Sequence, residues 1–131
     1  MIIYVAGKYN ASTDGERLLN THKAIDIAIA LYEQSHHKIY PVVPHLTHWI
    51  EKRMDYLKMP PRENSYWYDF DNLIIPVCDG LLKISKDGES KGADAEEELA
   101  IKLDKPIYHT VDEVLRVLHQ QELNKELLKN D

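Results

Sequence analysis

The chain has 131 residues, 44% hydrophobic and 29% charged, which is enough for one domain around a single core and ordinary for a folded globular protein. Its formal net charge of −6 excludes a broad basic surface, and with it a nucleic acid polymer as partner, while a mononucleotide needs only a local anion site. A lone cysteine, Cys78, excludes an internal disulfide and reads as a small buried hydrophobe of a soluble, cytoplasmic protein; no run approaches the ~20 apolar residues of a membrane span, and MIIYVAG does not read as a signal peptide.

IIYVA (2–6), apolar, β-branched and stopped by Gly7, reads as a buried strand. Beyond the polar loop KYNASTDGE, residues 17–34 carry Leu18, Leu19, Ala24, Ile25, Ile27, Ala28, Ile29 and Leu31 at helical spacing. KIYPVVP (38–44) is a second strand, which Pro41 weakens or places at a sheet edge. Residues 45–59 read as helical and PPRENS breaks them; YWYDFDNLIIPVCD opens another helix to about Cys78, which Pro76 must kink or end. GLLKIS (80–85) is a third strand, KDGES a polar loop, residues 92–103 a helix, and KPIYH (105–109) a fourth strand. Thr110 with Glu113 makes a capping box for a last helix through Asn124 or beyond, and the polar tail QQELNKELLKND is expected to fray or to contact a neighbouring subunit. Strands alternating with helices give a single α/β domain over 1–131, a doubly wound, mostly parallel sheet of Rossmann-like or flavodoxin-like type flanked by helices.

In such sheets ligands sit beyond the carboxyl ends of the strands, near the point where strand order reverses. Three segments leave strands there: GKYN, PHLTHW and SKDGESKGADAE. The last runs into a helix start, where free N–H groups and the dipole favour anions; Gly92 lets the backbone come close and the Ser90 hydroxyl can donate to a phosphate or sugar oxygen. The same field is expected to keep Glu96 ionised and available as a nucleophile. Glu96, Glu97 and Glu98 lie about 100° apart around the helix and cannot all face one cleft, and all three could simply complement the dipole and face water.

IIYVAGKY, DFDNLIIPVCDGLLKI and SKGADAEEELAIKLDKPI, with the S-x-G-x-x-x-E spacing and the interval from Asp71 to Asp79, together resemble the nucleoside 2-deoxyribosyltransferases and the related 2′-deoxynucleoside 5′-monophosphate N-glycosidases, closest to the small uncharacterised branch of that superfamily. The resemblance covers residues 2–9 and 67–107, with weaker support from YPVVPH. It implies cleavage of an N-glycosidic bond with retention, through a covalent glycosyl–enzyme intermediate and with no cofactor or metal. The nucleophile then falls on Glu96, the aspartate that handles the base's proton on Asp71, and the tyrosine that orients the nucleophile on Tyr4. The substrate loops fall on Gly7, Lys8 and Tyr9 and on Ser90 and Gly92. Relatives assemble as dimers or larger, so the resemblance implies a homo-oligomer. Lys8 departs from the pattern and implies either a phosphate contact or a surface salt bridge. Residues 45–66 match nothing in it and are expected to shape the base pocket through His45, Trp49 or Tyr66.

The residue types suit that chemistry on their own terms. Breaking a C1′–N bond builds positive charge on the sugar and negative charge on the departing base, so one carboxylate below C1′ and one acid near the base divide the work. Other motifs are weaker: GKYNAS lacks the glycines and the Ser/Thr of a P-loop, and no G-x-G-x-x-G is present. His45 and His48 are a conceivable metal pair, His36–His37 a surface pair at a helix end. Three readings remain: an enzyme acting on a nucleoside or its 5′-monophosphate, by hydrolysis or by transfer to another base; a non-catalytic nucleotide-binding or sensor module; and a metal-dependent hydrolase built on His45 and His48.

Overall fold

In the computed structural model, which describes residues 1–129, strands β1 (Ile2–Ala6), β2 (Tyr40–Val42), β3 (Gly80–Lys83) and β4 (Ile107–Tyr108) form one all-parallel sheet in the order β2-β1-β3-β4. Register pairs Ile3 with Pro41 on one side of β1 and with Gly80 on the other, and Leu82 with Tyr108 across β3 and β4. Pro41 therefore lies on an edge strand, where a missing N–H costs no ladder bond between interior strands. Strand order reverses between β1 and β3, the position from which the sequence expects ligands to be bound.

Among the described residues five helices flank the sheet: α1 (Asp14–Gln34), α2 (Thr47–Tyr56), α3 (Asn64–Ile74), α4 (Lys91–Lys102) and α5 (Val111–Lys129). The pleat sends alternate strand residues to two cores. Ile3, Val5 and Leu82 pack with Ala24 and Leu31 of α1 and Val114 of α5. Tyr4, Ala6 and Leu81 face the other way, against Ala93 and Ala100 of α4 and the 3₁₀ turn at Ile75–Val77. This is the expected doubly wound α/β architecture, and among the described residues no helix is long and apolar enough to cross a membrane.

Differences from the expected elements lie at their ends. The first helix starts three residues early, at Asp14, because Thr13 caps it: its Oγ1 accepts the Glu16 N–H at 3.2 Å, and Asp14 and Glu16 complement the dipole. The helix expected over 45–59 is shorter; Pro44 opens a 3₁₀ turn (Pro44–Leu46), and the chain leaves α2 through Lys58 at φ 56°. Pro76 ends α3, as expected, by terminating it at Ile74 in a 3₁₀ turn. All strands except β1 are shorter than read. The capping box forms, with Thr110 Oγ1 accepting from the Glu113 N–H at 3.2 Å, and α5 continues through the tail to Lys129 rather than fraying; Asn130 and Asp131 lie outside the described residues.

Candidate active site

A cleft of about 370 Å³ opens over the carboxyl ends of the strands, between the loop after β1, the 44–74 segment and the start of α4. Its floor is built from two elements. Tyr4 points from β1 to the α4 side of the sheet and is fully buried. Above it, Glu96 is the sixth residue of α4, on the flank of the Ala93/Ala100 stripe that lies against the sheet, and is 9% exposed. The Tyr4 hydroxyl donates to Glu96 Oε2, and Asp71, reaching in from α3, comes close enough to interact with both.

Expecting Glu96 to be held ionised by the helix dipole proves wrong. Burial pushes its carboxyl up to about 8, with the Asp71 charge adding to the rise and the Tyr4 hydrogen bond opposing it. The dipole acts within the first turn, and Glu96 sits beyond it, so loss of water dominates. Burial also raises Asp71, to about 6, again against a Tyr4 contact, and raises the Tyr4 phenol above its usual range. Near neutral pH the two carboxyls therefore hold about one proton between them. Of the three adjacent glutamates only Glu96 faces the cleft: Glu97 turns to Lys83 and Glu98 is exposed.

Gly7 and Tyr9 bring the loop after β1 to the cleft wall. A Cβ on Gly7 would lie 2.5 Å from Ile84 Cγ1, so close packing demands glycine there. His45 is 3% exposed; its Nε2 lies 3.1 Å from the Gly7 carbonyl, which requires Nε2 to carry the proton and leaves Nδ1 as a buried acceptor with no partner among the described residues. Burial lowers its pKa, favouring that neutral form. Tyr9 OH and His48 Nδ1 are 2.8 Å apart. Ser90 caps α4, its Oγ accepting the Ala93 N–H at 3.2 Å, so its own hydroxyl hydrogen stays free to donate. Lys8 is exposed and outside the cleft, and Gly92 is covered by Tyr68, whose Cε1 lies 3.4 Å from where a Cβ would stand.

Two of the three residues expected to shape the base pocket do not reach it: Trp49 and Tyr66 are half exposed on the outer faces of α2 and α3, and only His45 lines the cleft. His48 lines the cleft without having been expected there, and so do Trp67 and Tyr68 of SYWYDF, aromatics that from sequence were at least as suited to packing the helix as to stacking on a base. Trp67 donates its indole N–H to Glu51 Oε1 at 2.6 Å, tying α3 to α2 across the mouth. The signal was available: Asn64, Trp67, Tyr68 and Asp71 recur at three- and four-residue intervals, one face of a helix. His45 and His48 form no metal cluster, and none of three or more ligating side chains occurs among the described residues. Cys78 is buried, with Sγ 3.5 Å from the Ile74 carbonyl. No protein-family model, no curated protein and no solved structure matches this chain.

Proposed function

We propose that the protein cleaves the N-glycosidic bond of a (deoxy)nucleoside or its 5′-monophosphate through a covalent glycosyl–Glu96 intermediate. The observation that carries this reading is the buried Tyr4–Glu96 pair, met by the half-buried Asp71, at the foot of a cleft of nucleoside size. In the reactive arrangement the shared proton sits on Asp71 and Glu96 is ionised, steadied by the Tyr4 hydroxyl. Glu96 attacks C1′ as the C1′–N bond breaks; the base leaves with the bonding electrons and takes the proton of Asp71. Water, or a second base, then attacks C1′, gives its proton to Asp71 and releases Glu96, so two inversions leave the configuration unchanged.

The rest of the cleft has matching roles. The acceptor on His45 Nδ1 suits an N–H or O–H of the ligand, and Trp67, Tyr68 and Tyr9 offer aromatic walls for a base. Ser90 can donate to a sugar or phosphate oxygen. Lys8 lies outside the cleft, whereas Ser90 lines it together with the cations Arg17, Lys52 and Arg62, which suit a phosphorylated substrate. A homo-oligomer is part of the reading: α3 buries none of its residues, and Tyr66, Phe70, Leu73 and Val77 beside it expose 45–74% of their surface, as a face covered by a second copy would.

The test is release of free base from deoxynucleosides, ribonucleosides and their monophosphates, with and without an acceptor base, comparing the wild type with Glu96→Ala. Release that disappears in the variant supports the reading; an acceptor that diverts the sugar identifies a transferase, and free sugar a hydrolase. Ligand binding without release from any substrate would replace the enzyme by a nucleotide-binding module.

A further inference from the structure

Lys83, the last residue of β3, is an unusual place for a cation: its side chain is 1% exposed, on the interior face of the sheet that also carries Tyr4 and Leu81. Burial works against its charge, but carboxylates at three positions outweigh that and raise its pKa. Nζ lies 2.5 Å from Asp87 Oδ1, 2.8 Å from Asp94 Oδ1 and 3.2 Å from Glu97 Oε1. Asp94 in turn accepts the N–H of Gly88 at 3.0 Å, where φ is +81°. One ammonium thus pins the loop between β3 and α4 together with the first two turns of α4. None of these four residues lines the cleft.

Where the pins fall on α4 matters. The helix rests on the sheet through Ala93 and Ala100, side chains so small that they set its distance closely and its rotation about its own axis weakly, with the half-buried Leu99 packed at the edge of the same core. At about 100° per residue, Asp94 and Glu97 project to one flank of that stripe and Glu96 to the other. Tyr4 on β1 holds Glu96, and Lys83 on the adjacent strand β3 holds Glu97, the next residue. A roll of about 10° would displace a carboxylate at the ~5–6 Å radius of a helix by about 1 Å. Misplacement on that scale costs on the order of 100-fold in rate.

We propose that Lys83 is a positioning residue for the reaction: by gripping Asp94 and Glu97 from β3 it sets the roll of α4 and so aims the Glu96 carboxylate at Tyr4 and the cleft. The inference rests on the proposed glycosidic chemistry for its kinetic consequence, but its geometric half stands apart from it.

The experiment pairs crystal structures of the wild type and Lys83→Met with steady-state base release by both. The expected result is a Glu96 carboxylate displaced by about 1 Å from the Tyr4 hydroxyl, with kcat down about 10- to 100-fold and KM within about threefold. A Glu96 carboxylate that has not moved overturns the proposal, and so does a displaced one with unchanged kcat, since Lys83 would then only support the fold. If the wild type releases no base yet Glu96 shifts in Lys83→Met, the glycosidic reading fails and the orienting role of Lys83 stands. Should Lys83→Met not fold, the double variant Asp94→Asn, Glu97→Gln loosens the same grip with the lysine retained, and the same two measurements decide.

Discussion

The floor and the roof of the cleft are built differently. The floor is Tyr4 and Glu96, buried on adjacent layers of the sheet and α4 and held from below by the hydrophobic core. The roof is the 44–74 segment, whose α3 buries no residue; the Trp67–Glu51 bond joins its two helices, and Tyr9–His48 ties it to the loop after β1. Close packing fixes a side chain to within fractions of an ångström, whereas a few polar ties at a rim leave a segment able to adjust. Chemistry that must be aimed belongs on such a floor, and the choice of base on such a roof. Asp71 spans the two, since it projects from a roof helix into the floor cluster.

Substitutions at the floor should give the largest effects. Glu96→Gln keeps an acceptor for Tyr4 but has no nucleophile, and base release is expected to fall at least ~1,000-fold. The same change should stabilise the fold at alkaline pH. Burial raises the folded-state pKa of Glu96 to about 8 from an ordinary value of 4.5, so the stability linked to its proton is fully present below the ordinary value and lost as pH rises through about 8. Thermal melts of the wild type should fall in Tm from about pH 4.5 to about 8 by an amount that Glu96→Gln reduces; parallel melts in both would show that Glu96 titrates as an exposed group. A pair holding one proton also predicts a bell-shaped kcat/KM profile in the wild type, with limbs near 6 and 8.

Asp71→Asn removes the acid but leaves the floor intact, and about 100-fold loss is expected, least for substrates with good leaving groups; equal losses across leaving groups would separate Asp71 from the departing base. Tyr4→Phe deletes a hydrogen bond to a charged group, worth about 10-fold in kcat, and should leave KM unchanged. On the roof, Trp67→Phe keeps the aromatic wall and cuts the tie to Glu51; KM should rise about threefold at constant kcat. A kcat effect as large as that of Tyr4→Phe would erase the distinction between floor and roof. Lys8→Ala is expected to change neither parameter by more than about twofold, even for monophosphates, because the side chain points to solvent.

Much of this arrangement was legible in the chain and some was not, for reasons that differ by residue. Alternating apolar strands and periodic helices announce the doubly wound sheet, Pro41 its edge, and Thr110 with Glu113 the start of α5, because each is a local pattern that local physics reads directly. Thr13 with Glu16 is an equally local capping signal that lies inside the stretch KYNASTDGE, read from its polarity as a loop. The α3 face that points Trp67, Tyr68 and Asp71 together follows from helical spacing once the helix is placed, but which face meets the cleft depends on contacts with α2 and α4.

Sequence by itself determined the element order, the α/β architecture and the short set of carboxylates from which an active site could be drawn. The spacing from Ser90 already singled out Glu96 from Glu97 and Glu98; tertiary structure decided that Lys8 does not enter the cleft and that Lys83 at a strand end is buried among acids. It also reversed the expected protonation of Glu96. The physical reason is the range of the effects: backbone preferences and capping act over a few residues, whereas desolvation is set by everything that packs around a group from distant parts of the chain.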